Sequence, residues 1–239
     1  MAVNNLLSMI SFRLQKRVSL HGFRGFTLAE VLITLVIIGV IASMTIPTLM
    51  NNTNKQEYVS KLKKTYSTFA QATNRIISEQ GMPRGDIGGW ATDSDNVAAL
   101  YKKHLSNAKE CLNGQGCFEN VVYKNLNGSN FKNLDADSNA NYRKFILADG
   151  TSVLIGRVTQ SCGQNWDGKS DDCFQIYVDI NGAKKPNKAG HDLYSFVVKS
   201  DGLHPRGCDV ADCTTHKGAD NVTGADCTCR VLREGAINY

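Results

Sequence analysis

The chain has 239 residues, of which 42% are hydrophobic and 21% charged, and its formal charge of +5 is unevenly spread. Arg13, Lys16, Arg17 and Arg24 lie in the first 25 residues, which hold no Asp or Glu; the remainder carries 23 Lys and Arg against 22 Asp and Glu. Bulk charge therefore gives no nucleic-acid footprint, and no Gly-rich phosphate loop, H-E-x-x-H or G-x-S-x-G is present, so no enzyme of those classes is expected.

Residues 1–25 open with scattered apolar side chains, Leu6, Leu7, Met9, Ile10 and Phe12, and then turn basic. From Phe26 to Ile46 run 21 residues in which Glu30 is the only charge. At 1.5 Å per residue a helix of that length spans about 31 Å, the thickness of a bilayer's hydrocarbon core. The basic residues ahead of it keep the N-terminus cytoplasmic and send the rest of the chain out. A cleavable secretory signal fits poorly: its apolar core is shorter, about 7–15 residues, and Ala42-Ser-Met-Thr-Ile-Pro47 offers no A-x-A-like site. A carboxylate four residues into such a segment is costly in lipid and asks for a partner.

Gly25-Phe26-Thr-Leu-Ala-Glu30, followed by an unbroken apolar run with Pro47 near its end, resembles the processing site of type IV prepilins and of the related pseudopilins of type II secretion. The resemblance implies a leader, 1–25, removed by a prepilin peptidase between Gly25 and Phe26, and N-methylation of the new Phe26 terminus. It implies that Glu30 meets the amino terminus of a neighbouring subunit, so that the apolar helices stack into a filament. The partners it implies are that peptidase, other pilin or pseudopilin subunits and inner-membrane assembly machinery. The location it implies is the bacterial inner membrane in a single pass, then a pilus or pseudopilus. Nucleic acid enters only if the chain is a minor, tip-located pilin of DNA uptake.

Beyond Pro47 the helix is expected to resume, with a kink or loosened segment at residues 43–47 where Pro47 withholds a donor and Gly39 and Ser43 add weakness. Tyr58, Leu62, Tyr66, Phe69, Thr73 and Ile76 then recur at helical spacing, with Lys61, Lys63, Lys64 and Arg75 mostly elsewhere on the surface. Gly81 and Pro83 end it, so one long helix is expected over about 27–80, transmembrane over 26–47 and amphipathic over 48–80. The rest, 81–239, is large enough for one globular head. A Gly-rich loop at 81–93 leads to a second helix over 94–112, capped by Ser94 or Asp95 and burying Val97, Leu100, Tyr101, Leu105 and Ala108. Residues 113–142, rich in Asn, Gly and Ser, read as loops with a short helix or strand around Phe118–Tyr123. Asp149-Gly150 between two β-prone runs marks a hairpin; Phe174–Ile180 and Leu193–Lys199 are further strands, and a short C-terminal helix stops at Gly235. The expected class is α+β: a long helix packed against a small antiparallel-sheet head with disulfide-braced loops.

All eight cysteines follow residue 110, on the side of the span expected to be oxidising. Cys111 with Cys117 and Cys162 with Cys173 close short loops. Cys227 and Cys229, on one short segment, are expected to pair with Cys208 and Cys213, in an order that spacing leaves open. Zinc on His204, Cys208, Cys213 and His216 is the alternative, at spacings that match no known ligand pattern. Asp179-Ile-Asn181-Gly182 with Asp192 has oxygens placed for calcium, but Asx turns explain the same residues and Lys184, Lys185 and Lys188 repel a cation. No cofactor is expected, with calcium at Asp179, Asn181 and Asp192 as the alternative.

Overall fold

A computed structural model describes residues 25–80, 91–160, 162–166, 171–216 and 222–239. The leader up to Arg24 and most of the Gly-rich loop, 81–90, lie outside them. The chain divides into two compact units, Met1–Pro47 and Thr48–Tyr239.

Helix α1 runs from Leu28 to Glu79 without interruption at Gly39 or Pro47. Its Leu28–Pro47 stretch is long and apolar enough to cross a membrane, and none of it is buried against protein. Val36 and Ile38 are exposed alike, so the stretch is apolar all round, the pattern of a helix solvated by lipid or by other apolar helices. Hydroxyls here turn inward: Ser43 Oγ donates to Val40 O at 2.7 Å and Thr45 Oγ1 to Ile41 O at 3.1 Å, hiding their polarity on the helix's own carbonyls.

In the second unit the buried stripe of α1 is Val59, Leu62, Thr65, Phe69, Ala72, Thr73 and Ile76. Tyr58 and Tyr66 flank it, half-buried. The stripe packs on helix α2, Ser94–His104, and on a six-stranded sheet of β1 (Asn107–Leu112), β2 (Tyr142–Leu147), β3 (Ser152–Gly156), β4 (Asp172–Asp179), β5 (Leu193–Lys199) and β6 (Gly202–Pro205). Every neighbouring pair is antiparallel and the spatial order is the chain order. Phe69 lies 5.7 Å from the Tyr101 ring and 6.4 Å from Phe196, and Tyr101 meets Phe174 edge-on at 6.1 Å. Burying each such ring stabilises by about 1.5–3 kcal/mol. A short 3-10 turn, Ala225–Cys227, leads into helix α3, Thr228–Glu234, which stops at left-handed Gly235 as the spacing predicts.

The structure departs from the sequence reading in three places. Helix α2 is capped by Asp93, whose side chain accepts from Asn96 N at 2.8 Å, and it ends at His104. Leu105 is already extended, and Asn107–Leu112, expected to be helical, is strand β1 because β2 offers it an edge to pair with. No helix or strand forms at Phe118–Tyr123. That stretch instead lies over the outer face of the sheet, where Phe118, Tyr123 and Leu134 pack with Tyr142, Leu154 and Tyr177. The sheet is thus covered on both faces, which is why β3, β4 and β5 are buried at every position rather than at alternate ones.

Two charged side chains organise that cover. Asp135 Oδ1 accepts from the backbone N–H of Gly116, Cys117 and Phe118 at 2.7–3.0 Å. Lys144, fully buried, donates to the carbonyls of Leu134, Asp135 and Asp137 at 3.2, 2.7 and 3.0 Å. An irregular segment without a ladder must satisfy its backbone by other means, and these two residues supply them.

Candidate assembly site and the polar clusters of the head

At the start of α1, Thr27 and Glu30 form a capping box. Glu30 N donates to Thr27 Oγ1 at 3.2 Å, while Thr27 N and Thr27 Oγ1 both donate to Glu30 Oε2, at 2.8 and 2.9 Å. Two backbone donors that the first turn of a helix leaves unsatisfied are closed reciprocally. Both bonds to the carboxylate fall on Oε2, so among the described residues Oε1 stays available to a donor from elsewhere. Gly25 and Phe26 precede the helix outside any regular element and are exposed, Phe26 to 87%. Gly25, Phe26 and Glu30 therefore lie within six residues of one another at the exposed entrance to α1. Sequence reasoning singled out Gly25, Phe26 and Glu30 but not Thr27; the signal was the Thr-x-x-Glu spacing immediately before an apolar run.

The second cluster gathers around Asp179, Asn181 and Asp192, the residues with calcium-like spacing. Asp179 Oδ2 accepts from Tyr123 Oη at 2.6 Å and its Oδ1 from Asn181 N at 3.2 Å. Asp192 takes Asn187 N on one oxygen at 2.7 Å and Lys188 N on the other at 2.6 Å. Asn181 Nδ2 bridges to Tyr58 Oη and to Lys185 O, both at 3.1 Å. The carboxylates shape the 179–192 turn as Asx-type caps, and Asn181 ties it to α1 through Tyr58. Gly182, at φ +64°, passes so close to the β2–β3 hairpin that a Cβ would stand 2.6 Å from Gly150 O, which only glycine tolerates.

Both carboxylates are fully buried. Burial first, then the charge of Asp192, raises the Asp179 pKa well above the ordinary value; burial likewise raises Asp192. A carboxyl whose folded pKa is raised contributes stability that is fully present below the unfolded pKa, near 3.9, and is lost as pH rises through the folded pKa. Asp179→Asn, which cannot ionise, is therefore expected to cost most at acidic pH and progressively less towards neutrality. Urea midpoints of mutant and wild type from pH 4 to 7 measure this; a gap that widens with pH contradicts it.

The third cluster is C-terminal. Cys208 is bonded to Cys229 and Cys213 to Cys227, while Cys111–Cys117 and Cys162–Cys173 close the two shorter loops; no cysteine is free. The zinc alternative fails on these bonds, since both of its thiols are consumed, and its histidines turn to carboxylates. His204 Nε2 pairs with Asp201 at 2.6 Å and His216 Nδ1 with Asp226. Asp226 is also met by Arg206 Nε at 2.5 Å, and both are completely buried. Gly207, φ +87°, lies where a Cβ would collide with Asp226 O, so the chain passes directly against this pair. Neither Arg206 nor Asp226 was legible as a core residue, because burial of a charge depends on a partner 20 residues away.

Two comparisons with known proteins find a similarity, one of them placed on the N-terminal segment. Residues 20–46 match the family model of the prokaryotic N-terminal methylation motif. Over 80 residues the chain is 35% identical to the type II secretion system core protein G of Dickeya chrysanthemi, a match covering 34% of this chain. It spans 47%, about half, of that relative's length. No solved structure matches.

Proposed function

We propose, proceeding from a type IV pilin-like chain, that it serves as a structural subunit of a type IV pilus or type II secretion pseudopilus. The observation that carries this is the conjunction at the start of α1: an exposed Gly25-Phe26 ahead of the helix, a Glu30 closing the capping box, and a lipid-compatible helix to Pro47. A prepilin peptidase cuts after Gly25, where the missing Cβ lets extended backbone enter a protease site closely, and methylates Phe26. The chain waits in the inner membrane with its basic leader in the cytoplasm and its head outside, then joins neighbouring subunits through the apolar helix. In the filament Glu30 receives the cationic amino terminus of the next subunit on the oxygen that Thr27 leaves open. Each charge relieves the other's desolvation. Pro47 and Gly39 give α1 the compliance to adjust on assembly. The role is structural, not catalytic.

Mass spectrometry of the protein purified from its host should find N-methyl-phenylalanine at position 26, and Gly25→Leu should abolish it. An uncut chain in cells with an active peptidase, or a cut near Ala42, would refute the assignment.

Four disulfides in a head whose core is already well packed favour a second reading, an exposed tip position in which the head contacts a surface, DNA or a secreted substrate. Copy number in sheared filaments separates the two, since a tip subunit is nearly absent there and a major one dominates.

A further inference from the structure

The head presents a basic face beside the point where the chain enters it. Leu49 and Met50, at the start of the second unit, are 68% and 59% exposed. Lys55 follows five residues on, about 8 Å of helix; it is half-buried and donates to Ile237 O at 3.1 Å, with two ammonium hydrogens left over. Tyr58 Oη then accepts Asn181 Nδ2 and reaches Lys185 O at 3.4 Å, which fastens the 179–192 turn alongside. That turn exposes Lys184 and Lys185 and half-exposes Lys188. Charge proximity confirms the grouping. Glu57 is held below its ordinary pKa by Lys61 first and also by Lys184, and His191 is pressed down to about 4 by burial, then by Lys188 and Lys55. Opposing acids are few: Glu57 is taken by Lys61 at 2.9 Å, and Asp179 and Asp192 are buried.

Exposed apolar side chains followed by Lys55 within about 8 Å of helix, and by the turn lysines fastened at Tyr58 about 12 Å on, repeat the order of a bilayer surface, acyl boundary first and phosphates next. We propose that Lys55, Lys184, Lys185 and Lys188 dock on the headgroups of anionic phospholipid, holding the unassembled head against the membrane. The inference rests on the reading of Leu28–Pro47 as membrane-spanning. Attraction of this kind extends over about one Debye length, 8–10 Å, and weakens with salt. Lysines that remain paired with phosphate are slow to react with an acylating reagent, and leaving the membrane for a filament frees them.

The full chain is reconstituted in nanodiscs of phosphatidylcholine alone or with phosphatidylglycerol, treated with a neutral acetylating reagent, and mapped by mass spectrometry. Reaction at Lys184 and Lys185 is expected to fall roughly threefold or more in the anionic discs and to recover in high salt, while exposed Lys103 reacts equally in both. Lys184→Glu with Lys185→Glu should remove the protection at Lys188. Equal reactivity in the two lipids overturns the proposal. Protection in both lipids that grows with the number of chains per disc overturns it in favour of a second copy as the partner. A chain that enters neither disc refutes the membrane span itself, a separate failure visible by size exclusion before any labelling.

Discussion

Glu30→Leu is expected to leave membrane insertion and cleavage at Gly25 intact and to remove the chain from filaments. Leucine is easier to place in lipid than a carboxylate, so insertion does not suffer. Under the pairing proposed above, the filament would lose one member of a buried ion pair, a change that typically costs about 3–5 kcal/mol and recurs at each interface using it. The capping box supplies a control. Glu30→Gln keeps a side-chain oxygen to accept from Thr27 N and so preserves the cap while deleting the charge. If Gln fails as Leu does, the charge sets assembly; if Gln assembles normally, Glu30 acts only as a cap and the pairing mechanism is wrong. Membrane and sheared-filament fractions from the native host, compared for the three chains, decide between them. A minor subunit surrounded by wild-type neighbours would show a partial defect of the same sign.

Arg206→Met carries the second large effect. It removes the guanidinium from buried Asp226, whose pairing with half-exposed His216 remains, at an expected cost of about 3–5 kcal/mol. Against a typical stability of about 5–15 kcal/mol for a whole domain, that is enough to unfold a large fraction of the head near physiological temperature. Replacing both partners, Arg206→Met with Asp226→Leu, should recover much of the loss, because an apolar pair has no charge to desolvate. Urea unfolding of the oxidised chain in detergent measures it. A single mutant as stable as wild type would mean that the pair contributes nothing beyond filling space.

What could be read from the sequence was local. The length of α1, the Asp149-Gly150 hairpin, the strands at 174–180 and 193–199 and the Gly235 stop each rest on periodicity or turn chemistry within a few residues. Strand β1 escaped because Asn107-Ala-Lys-Glu-Cys-Leu continues the helical spacing of α2 and becomes a strand only through pairing with β2, some 35 residues later. Strand β6, Gly202–Pro205, is too short to show alternation. The order of the last two disulfides depends on how the 206–216 loop meets α3, which no spacing encodes. Of the candidate site, Gly25, Phe26 and Glu30 were legible as a motif, whereas the Arg206–Asp226 pair and the Asp135 and Lys144 anchors were not. The chemistry of each is set by long-range partners.

Because the strands lie side by side in the order in which they are written, each new one finds its partner already waiting as the immediately preceding strand. Within the sheet no strand must leave a place open for a later one, and the longest disulfide loop joins residues only 21 apart. Closing contacts near in sequence costs less loop entropy than closing distant ones and tends to speed folding. A sheet ordered in this way can thus assemble progressively from one end of the chain.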